Sequence, residues 1–285
     1  MTEGSLAGIT DDAGRFALLA IDHRDSLRRF LAPDDPESLD AAAITALKVE
    51  LVRGLGDLAS GVLLEPEYSI PQVADAGVLP EGVGFLAALE AQGYLDDPGA
   101  APTTILSGWS VEQAAASGAT AAKMLLPYHP DRPLAAAQER VAGDTVDRCR
   151  EVGIPLLLEP LYYDLDRPED RPRVVVETVR RLAPLGPDLL KLPFPGTADA
   201  CREIAIIAGQ PWVMLSGGGT FEDFERDLEI ALDGGCSGFA VGRALWGEAA
   251  RAAPPARATT IRDLIRPRFE RLVALLDRYG GERTG

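Results

Sequence analysis

Residues 154–194 read IPLLLEPLYYDLDRPEDRPRVVVETVRRLAPLGPDLLKLPF. An apolar run, Pro155–Pro160, opens the segment and a second, Asp188–Phe194, closes it. Near-continuous apolar runs suit strands that are covered on both faces, as in a parallel sheet. Between them Arg171–Leu182 carries apolar residues at helical steps with charges on the other side. Strand, helix and parallel strand make one βαβ unit. Each strand also carries a charge, Glu159 at the end of PLLLE and Lys191 inside LLKLPF.

The same alternation extends outward in both directions. Further apolar runs are Phe16–Asp22 (FALLAID), Gly61–Glu67 (GVLLEPE), Thr103–Gly108 (TTILSG), Ala121–Tyr128 (AAKMLLPY), Pro211–Gly218 (PWVMLSGG) and Gly238–Arg243 (GFAVGR). Helical periodicity covers Ala41–Leu58, Leu134–Val152 and Phe221–Leu232. Thr220 with Asp223 predicts an N-cap, and Gly234 and Gly235 predict the stop of the last of these. Strand–helix alternation repeated about eight times predicts a (β/α)8 TIM barrel of the α/β class, with an open doubly wound sheet as its competitor. The tail, with Ile261, Leu264, Ile265, Phe269, Leu272, Val273 and Leu276, predicts a helical extension that Pro267 bends or divides. The expected organisation is one domain over 1–285, with the barrel at about 15–250 and the tail at about 258–279. Arg251–Ala258 is read as a connector.

A chain of 285 residues, 46% hydrophobic and 25% charged, is long enough to bury a core of its own. A net charge of −16 argues against nucleic acid or an anionic membrane surface as the main partner, since both need a basic face. No apolar run reaches a membrane-spanning length, and Met1–Thr10 lacks the pattern of a secretion signal. Cys149, Cys201 and Cys236 are far apart and form no metal-type pair, so reduced thiols in the cytoplasm are the expectation. Two histidines, His23 and His129, cannot build a multi-histidine metal site, which points to chemistry without a metal or other cofactor. The amphipathic tail packs either on its own barrel or on a second copy of the chain, so a homo-oligomer stays open.

In a barrel of this kind the chemistry stands at the C-terminal ends of the strands. Those ends carry Asp22-His23-Arg24, Lys123, Glu159, Lys191, Ser216-Gly217-Gly218-Gly219 and Gly242-Arg243. Lysine inside an apolar run is the anomaly, because lysine is almost never buried without a partner. Alternation lets Lys191 point into the barrel while Leu190 and Leu192 face the helices. A desolvated lysine beside a second cation loses proton affinity, and the neutral amine attacks carbonyls. Lys123 is the candidate second charge, Glu159 the candidate proton shuttle, and Asp22 a candidate to orient a lysine or a substrate hydroxyl. The bland reading is a set of buried ion pairs holding the barrel together. After strands seven and eight, backbone N–H groups and a helix N-terminus commonly hold phosphate. Ser216, Gly217, Gly218, Gly242 and Arg243 stand there, with Arg24 as a further cation at the mouth. Glu65 and Glu67 line the mouth or pair with arginine, and His23 is read first as a structural hydrogen-bonding residue.

LLAIDHRDSLRRFL, LLEPEY, GWSVEQAAASGATAAKMLLPYHPD, IPLLLEP, DLLKLPFPG, WVMLSGGGTFEDFERDLEIALDGGCSGF and AVGRALW occur in order over about residues 15–250. In these segments the chain resembles the class I tagatose-bisphosphate aldolase family, which includes sulfofructose-phosphate aldolases. The resemblance implies a TIM barrel and reversible aldol cleavage of a ketose 1-phosphate through a lysine imine, releasing dihydroxyacetone phosphate. It implies Lys191 as the imine lysine, Lys123 as a second active-site lysine, Glu159 and Asp22 as active-site carboxylates, and Gly217, Gly218, Gly242 and Arg243 as the phosphate site. The family usually carries Gln where this chain has His23. Tyr162–Asp170 and LPFPGTADA match neither subgroup, so phosphate, sulfonate or neither at the far end of the sugar stays open. Rival readings are a deoxyribose-phosphate-type aldolase, a sugar-phosphate isomerase, and a sugar-phosphate-binding protein without turnover.

Overall fold

The computed structural model describes residues 5–280. Eight parallel strands close into a barrel in sequence order: β1 Phe16–Ala20, β2 Gly61–Leu64, β3 Gly84–Ala88, β4 Ala121–Pro127, β5 Leu156–Leu161, β6 Leu189–Pro193, β7 Trp212–Leu215 and β8 Gly238–Val241. The ring shuts where Phe16–Leu19 of β1 registers against Gly238–Val241 of β8. The helices are α1 Asp25–Leu31, α2 Ala41–Leu55, α3 Ile70–Asp75, α4 Val111–Ala116, α5 Ala135–Val152, α6 Arg171–Leu182, α7 Ala198–Ala208, α8 Phe221–Asp233, α9 Arg243–Arg251, α10 Pro254–Thr260 and α11 Arg266–Gly280. Among the described residues no helix is long and apolar enough to cross a membrane.

Two apolar layers result from strand alternation. One lies between strands and helices and holds Leu19, Val62, Met124, Leu158, Leu190 and Trp212. The other fills the barrel interior with Phe16, Leu18, Leu63, Leu86, Ala121, Leu157, Leu189, Val213 and Ala240. Ile9, from a short 3-10 turn at Leu6–Ile9, plugs the N-terminal end. The packing there is close: a Cβ on Gly84 would stand 2.2 Å from the Gly8 carbonyl oxygen. One inward step above the interior layer, the apolar residues give way to Asp22, Glu90, Lys123, Glu159 and Lys191.

The expected third strand is corrected. Residues 103–108 form no strand of the barrel and touch it only through an isolated antiparallel bridge between Ile105 and Glu90. The strand is GFLAA at 84–88, a stretch poor in β-branched residues, whereas TTIL is rich in them. Local β propensity pointed to the wrong segment, because Gly84 stands where the Gly8 carbonyl and the Thr120 side chain leave no room for a Cβ. The connector reading of 251–258 is corrected too, since α10 begins at Pro254, where proline suits a first turn.

Thr220 caps α8 by accepting the Asp223 N–H, and Gly235 leaves the helix with a left-handed φ of 95°. The tail does not stand free. Residues Ile261–Ile265 widen into a π turn just before Pro267, and helix continues on both sides. A π turn is one way to absorb a proline's missing donor. Ile265, Phe269, Leu272 and Leu276 are buried, with the Phe269 ring edge-on to Phe239 of β8. The tail therefore packs on its own barrel.

Candidate active site

At the C-terminal ends of the strands lies a cavity of about 330 Å³. Asp22, Arg24, Lys123, Glu159, Lys191, Ser216, Gly217, Gly218, Gly242 and Arg243 all line it. Strand parity explains why four of these meet. Asp22 follows Ala20, Lys123 follows Ala121, Glu159 follows Leu157 and Lys191 follows Leu189, each by two residues, so all face inward.

The floor of the cavity is an ion cluster. Lys123 Nζ lies 2.8 Å from Asp22 Oδ2, 2.8 Å from Glu90 Oε1 and 3.0 Å from Glu159 Oε2. Lys191 Nζ lies 2.8 Å from Glu159 Oε1. Burial alone would raise the Asp22 carboxyl, but Lys123 and Lys191 overcome it and hold Asp22 far below the usual carboxylate range. Burial opposes charge on Lys123 as well, yet Asp22, Glu159 and Glu90 hold its ammonium well above the ordinary lysine range. Three carboxylates thus outweigh the single charge of Lys123, so little of its field is left to repel a second cation. Glu159 Oε2 accepts no aligned hydrogen bond despite its contact with Lys123.

The opposite character appears between β7 and β8. Gly217 and Gly218 are consecutive left-handed residues, with φ of 58° and 78°. Glycine adopts such angles without strain. A Cβ on Gly218 would lie 3.5 Å from the Arg243 guanidinium, and one on Gly242 would lie 2.7 Å from the His23 ring. Arg243 opens α9, donates weakly to the Ser26 carbonyl at 3.3 Å, and has a buried Nε without an acceptor. No carboxylate pairs with it among the described residues, and burial pulls its guanidinium down from the ordinary arginine value. A desolvated cation without an anion, beside open glycine backbone and a helix N-terminus, is a cradle for an oxyanion.

Arg24 lines the cavity but is already engaged. It donates to Glu67 Oε2 at 2.9 Å and to the Glu90 carbonyl. Glu65 lies outside the cavity, fully buried against Lys48 of α2 at 2.5 Å. Its carboxylate also accepts the Glu67 and Tyr68 N–H groups and the Ser69 hydroxyl. That pair fixes the turn after β2, and the turn carries Glu67 to Arg24. Among the described residues no group of His, Cys, Asp or Glu is disposed to hold a metal ion. All three cysteines are buried, and burial pushes the Cys149 and Cys201 thiols up to about 12.

Glu90 and Tyr94 escaped the sequence reading, whereas Tyr162 opens the 162–170 loop expected at the mouth. Glu90 bonds Lys123 through Oε1 and the Leu125 N–H through Oε2. It sits two residues beyond Ala88, so correct placement of β3 would have found it by parity. Tyr94, on the loop after β3, and Tyr162, after β5, also line the cavity. Burial pushes the Tyr94 phenol up, so it stays protonated as a donor. His23 stands edge-on to Trp246 with its buried Nδ1 making no hydrogen bond, 3.9 Å from Asp22 Oδ1, and burial holds it neutral to well below its ordinary range.

Comparison with known proteins places the chain in a family. The profile of the DeoC/LacD family aldolases matches residues 16–248. A tagatose 1,6-diphosphate aldolase of Staphylococcus aureus (strain bovine RF122 / ET3-1) is 28% identical over 283 residues, covering 86% of this chain and 84% of that one. A tagatose 1,6-diphosphate aldolase of Streptococcus agalactiae is 29% identical over 273 residues, covering 84% and 82%. An archaeal fructose 1,6-bisphosphate aldolase superposes with a TM-score of 0.69 at 22% identity, covering 97% of this chain and 98% of that one. At that identity the likeness speaks for the fold alone. With its family profile spanning the whole barrel, the chain belongs to the DeoC/LacD family of aldolases and is a carbon–carbon lyase.

Proposed function

We propose that the chain is a class I aldolase that cleaves a ketose 1-phosphate through an imine on Lys191. The observation that carries the reading is the placement of the Lys191 amine in the cavity, 2.8 Å from a carboxylate able to take its proton. The tagatose 1,6-diphosphate aldolases among its relatives support the substrate class. A solved neighbour described as a Schiff base forming fructose-1,6-bisphosphate aldolase fits the same chemistry.

In this mechanism the C1 phosphate sits against Gly217, Gly218 and Arg243, which fixes the C2 carbonyl over Lys191. Glu159 takes the Lys191 ammonium proton, and the neutral amine adds to C2. Glu159 returns that proton to the carbinolamine hydroxyl, which leaves as water to give an iminium and a free Glu159 carboxylate. Glu159 takes the C4 hydroxyl proton. The C3–C4 bond breaks, the aldehyde leaves, and the electron pair passes through C3 to the iminium nitrogen as an enamine. The same proton returns to C3, and water releases dihydroxyacetone phosphate and the amine. Lys123 and Asp22 hold Glu159 and the polar floor in place, and preorganised charge of this kind lowers the barrier without rearrangement. Metal and further cofactor play no part in these steps.

Borohydride reduction in the presence of dihydroxyacetone phosphate tests the proposal. The expected result is a stable mass adduct on the peptide carrying Lys191, absent from Lys191→Arg. Full aldolase activity in Lys191→Arg overturns it, because arginine keeps the charge but forms no imine.

A further inference from the structure

The closed strand order places β3 and β4 across the barrel from β7 and β8. A substrate whose phosphate lies between β7 and β8 therefore sends its other end towards the loops after β3, β4 and β5. That wall is made of Tyr94, Leu95, Leu125, Leu161 and Tyr162. It offers apolar surface and phenolic donors but no free cation.

The cations lining the cavity settle where an anion finds charge. They are Arg24, Lys123, Lys191 and Arg243. Arg24 is paired with Glu67 and lies 3.8 Å from Glu90. Lys123 is surrounded by Asp22, Glu90 and Glu159, and Lys191 is paired with Glu159. Among the described residues only Arg243 lines the cavity without an acidic partner. A rim arginine, Arg132, faces a neighbouring cleft that it shares with Asp96, Asp97 and Asp164. It is bonded to Asp166 at 2.8 Å and paired with Asp164 at 3.2 Å. A second phosphate or a sulfonate at the far end would give up water for a wall without a free cation, beside a rim of carboxylates. An anion is desolvated at high cost when no counter-charge meets it.

We infer that the cavity has one anion site, and that the substrate is a ketose monophosphate, phosphorylated at C1, whose far end is uncharged. Its aldehyde half is then a neutral hydroxyaldehyde, held by apolar contact and by phenolic hydrogen bonds from Tyr94 or Tyr162. The inference rests on the imine reading above and narrows it, away from the bisphosphates named for the relatives.

Aldol addition reads both apart. In that direction the C3 carbon of the enamine forms a bond to the aldehyde carbon, and the aldehyde oxygen takes a proton from Glu159. With dihydroxyacetone phosphate as donor, glyceraldehyde and lactaldehyde are compared with glyceraldehyde 3-phosphate as acceptors, at fixed ionic strength. The expected result is a kcat/KM at least about tenfold higher for the neutral aldehydes, the factor set by about 1.4 kcal/mol. Equal values, or preference for the phosphorylated aldehyde, overturn the inference. Borohydride trapping with dihydroxyacetone phosphate alone accompanies the assay. An adduct at Lys191 with the phosphorylated acceptor preferred sinks only the single-anion reading. Absence of that adduct sinks the imine reading and this one with it.

Discussion

Glu159 and Lys191 stand 2.8 Å apart on adjacent strands, and the other oxygen of the same carboxylate is 3.0 Å from Lys123. One carboxylate thus bridges an amine that must be neutral to react and an ammonium that stays charged. The bridge separates their tasks. Lys123 fixes the carboxylate, and the oxygen facing Lys191 is free to carry a proton.

Replacing that oxygen removes the proton carrier but little volume. In Glu159→Gln we expect kcat to fall by about 10²–10⁴-fold, the usual worth of a positioned acid–base group. Binding of inorganic phosphate between β7 and β8 should not change, which calorimetry checks. A kcat within threefold of wild type would remove Glu159 from the mechanism.

Arg243 is the unpaired cation of the cavity. A hydrogen bond to a charged group contributes about 1.5–3 kcal/mol. Arg243→Met should therefore raise KM for the phosphorylated donor by about 10- to 100-fold, with a smaller effect on kcat. Steady-state kinetics with dihydroxyacetone phosphate as the varied substrate measures the split. An unchanged KM would place the phosphate elsewhere.

His23 links stability to pH. Burial keeps its ring neutral in the folded chain to well below the usual histidine range. The unfolded chain takes up a proton near pH 6.5. The stabilisation is whole above that pH and drains as pH falls, by at most about 1.4 kcal/mol per pH unit. Urea midpoints between pH 6.5 and 5 should fall in the wild type and fall less steeply in His23→Gln. His129, also lowered by burial, keeps its own share of the slope in that variant. Identical slopes in the two proteins would show that His23 takes up its proton alike in both states.

Much of this arrangement was readable from residue order. Lysine and glutamate at the ends of apolar runs, spaced by strand-and-helix units, specify both barrel and floor. Parity then puts Asp22, Lys123, Glu159 and Lys191 on one side of the wall. Glu90 was hidden because its strand, GFLAA, has no β-branched residue, and its opening Gly84 is set by the space left by Gly8 and Thr120. Tyr94 was hidden because loops carry no period that aims a side chain. The engagement of Arg24 was hidden for a third reason. Its partners come from the turns after β2 and β3, and no local pattern reports contacts across so long a stretch of chain.

The plug at Ile9 has a practical consequence. It closes the end of the barrel remote from Lys191, and the crowding around Gly8, Gly61 and Gly84 has no route to the reacting atoms except through the filled interior. Substitutions around the plug are accordingly expected to change stability while leaving the reacting groups in place. A mutant library confined to the plugged pole is therefore the place to look for durability at constant chemistry, and one confined to the mouth the place to look for altered substrate choice.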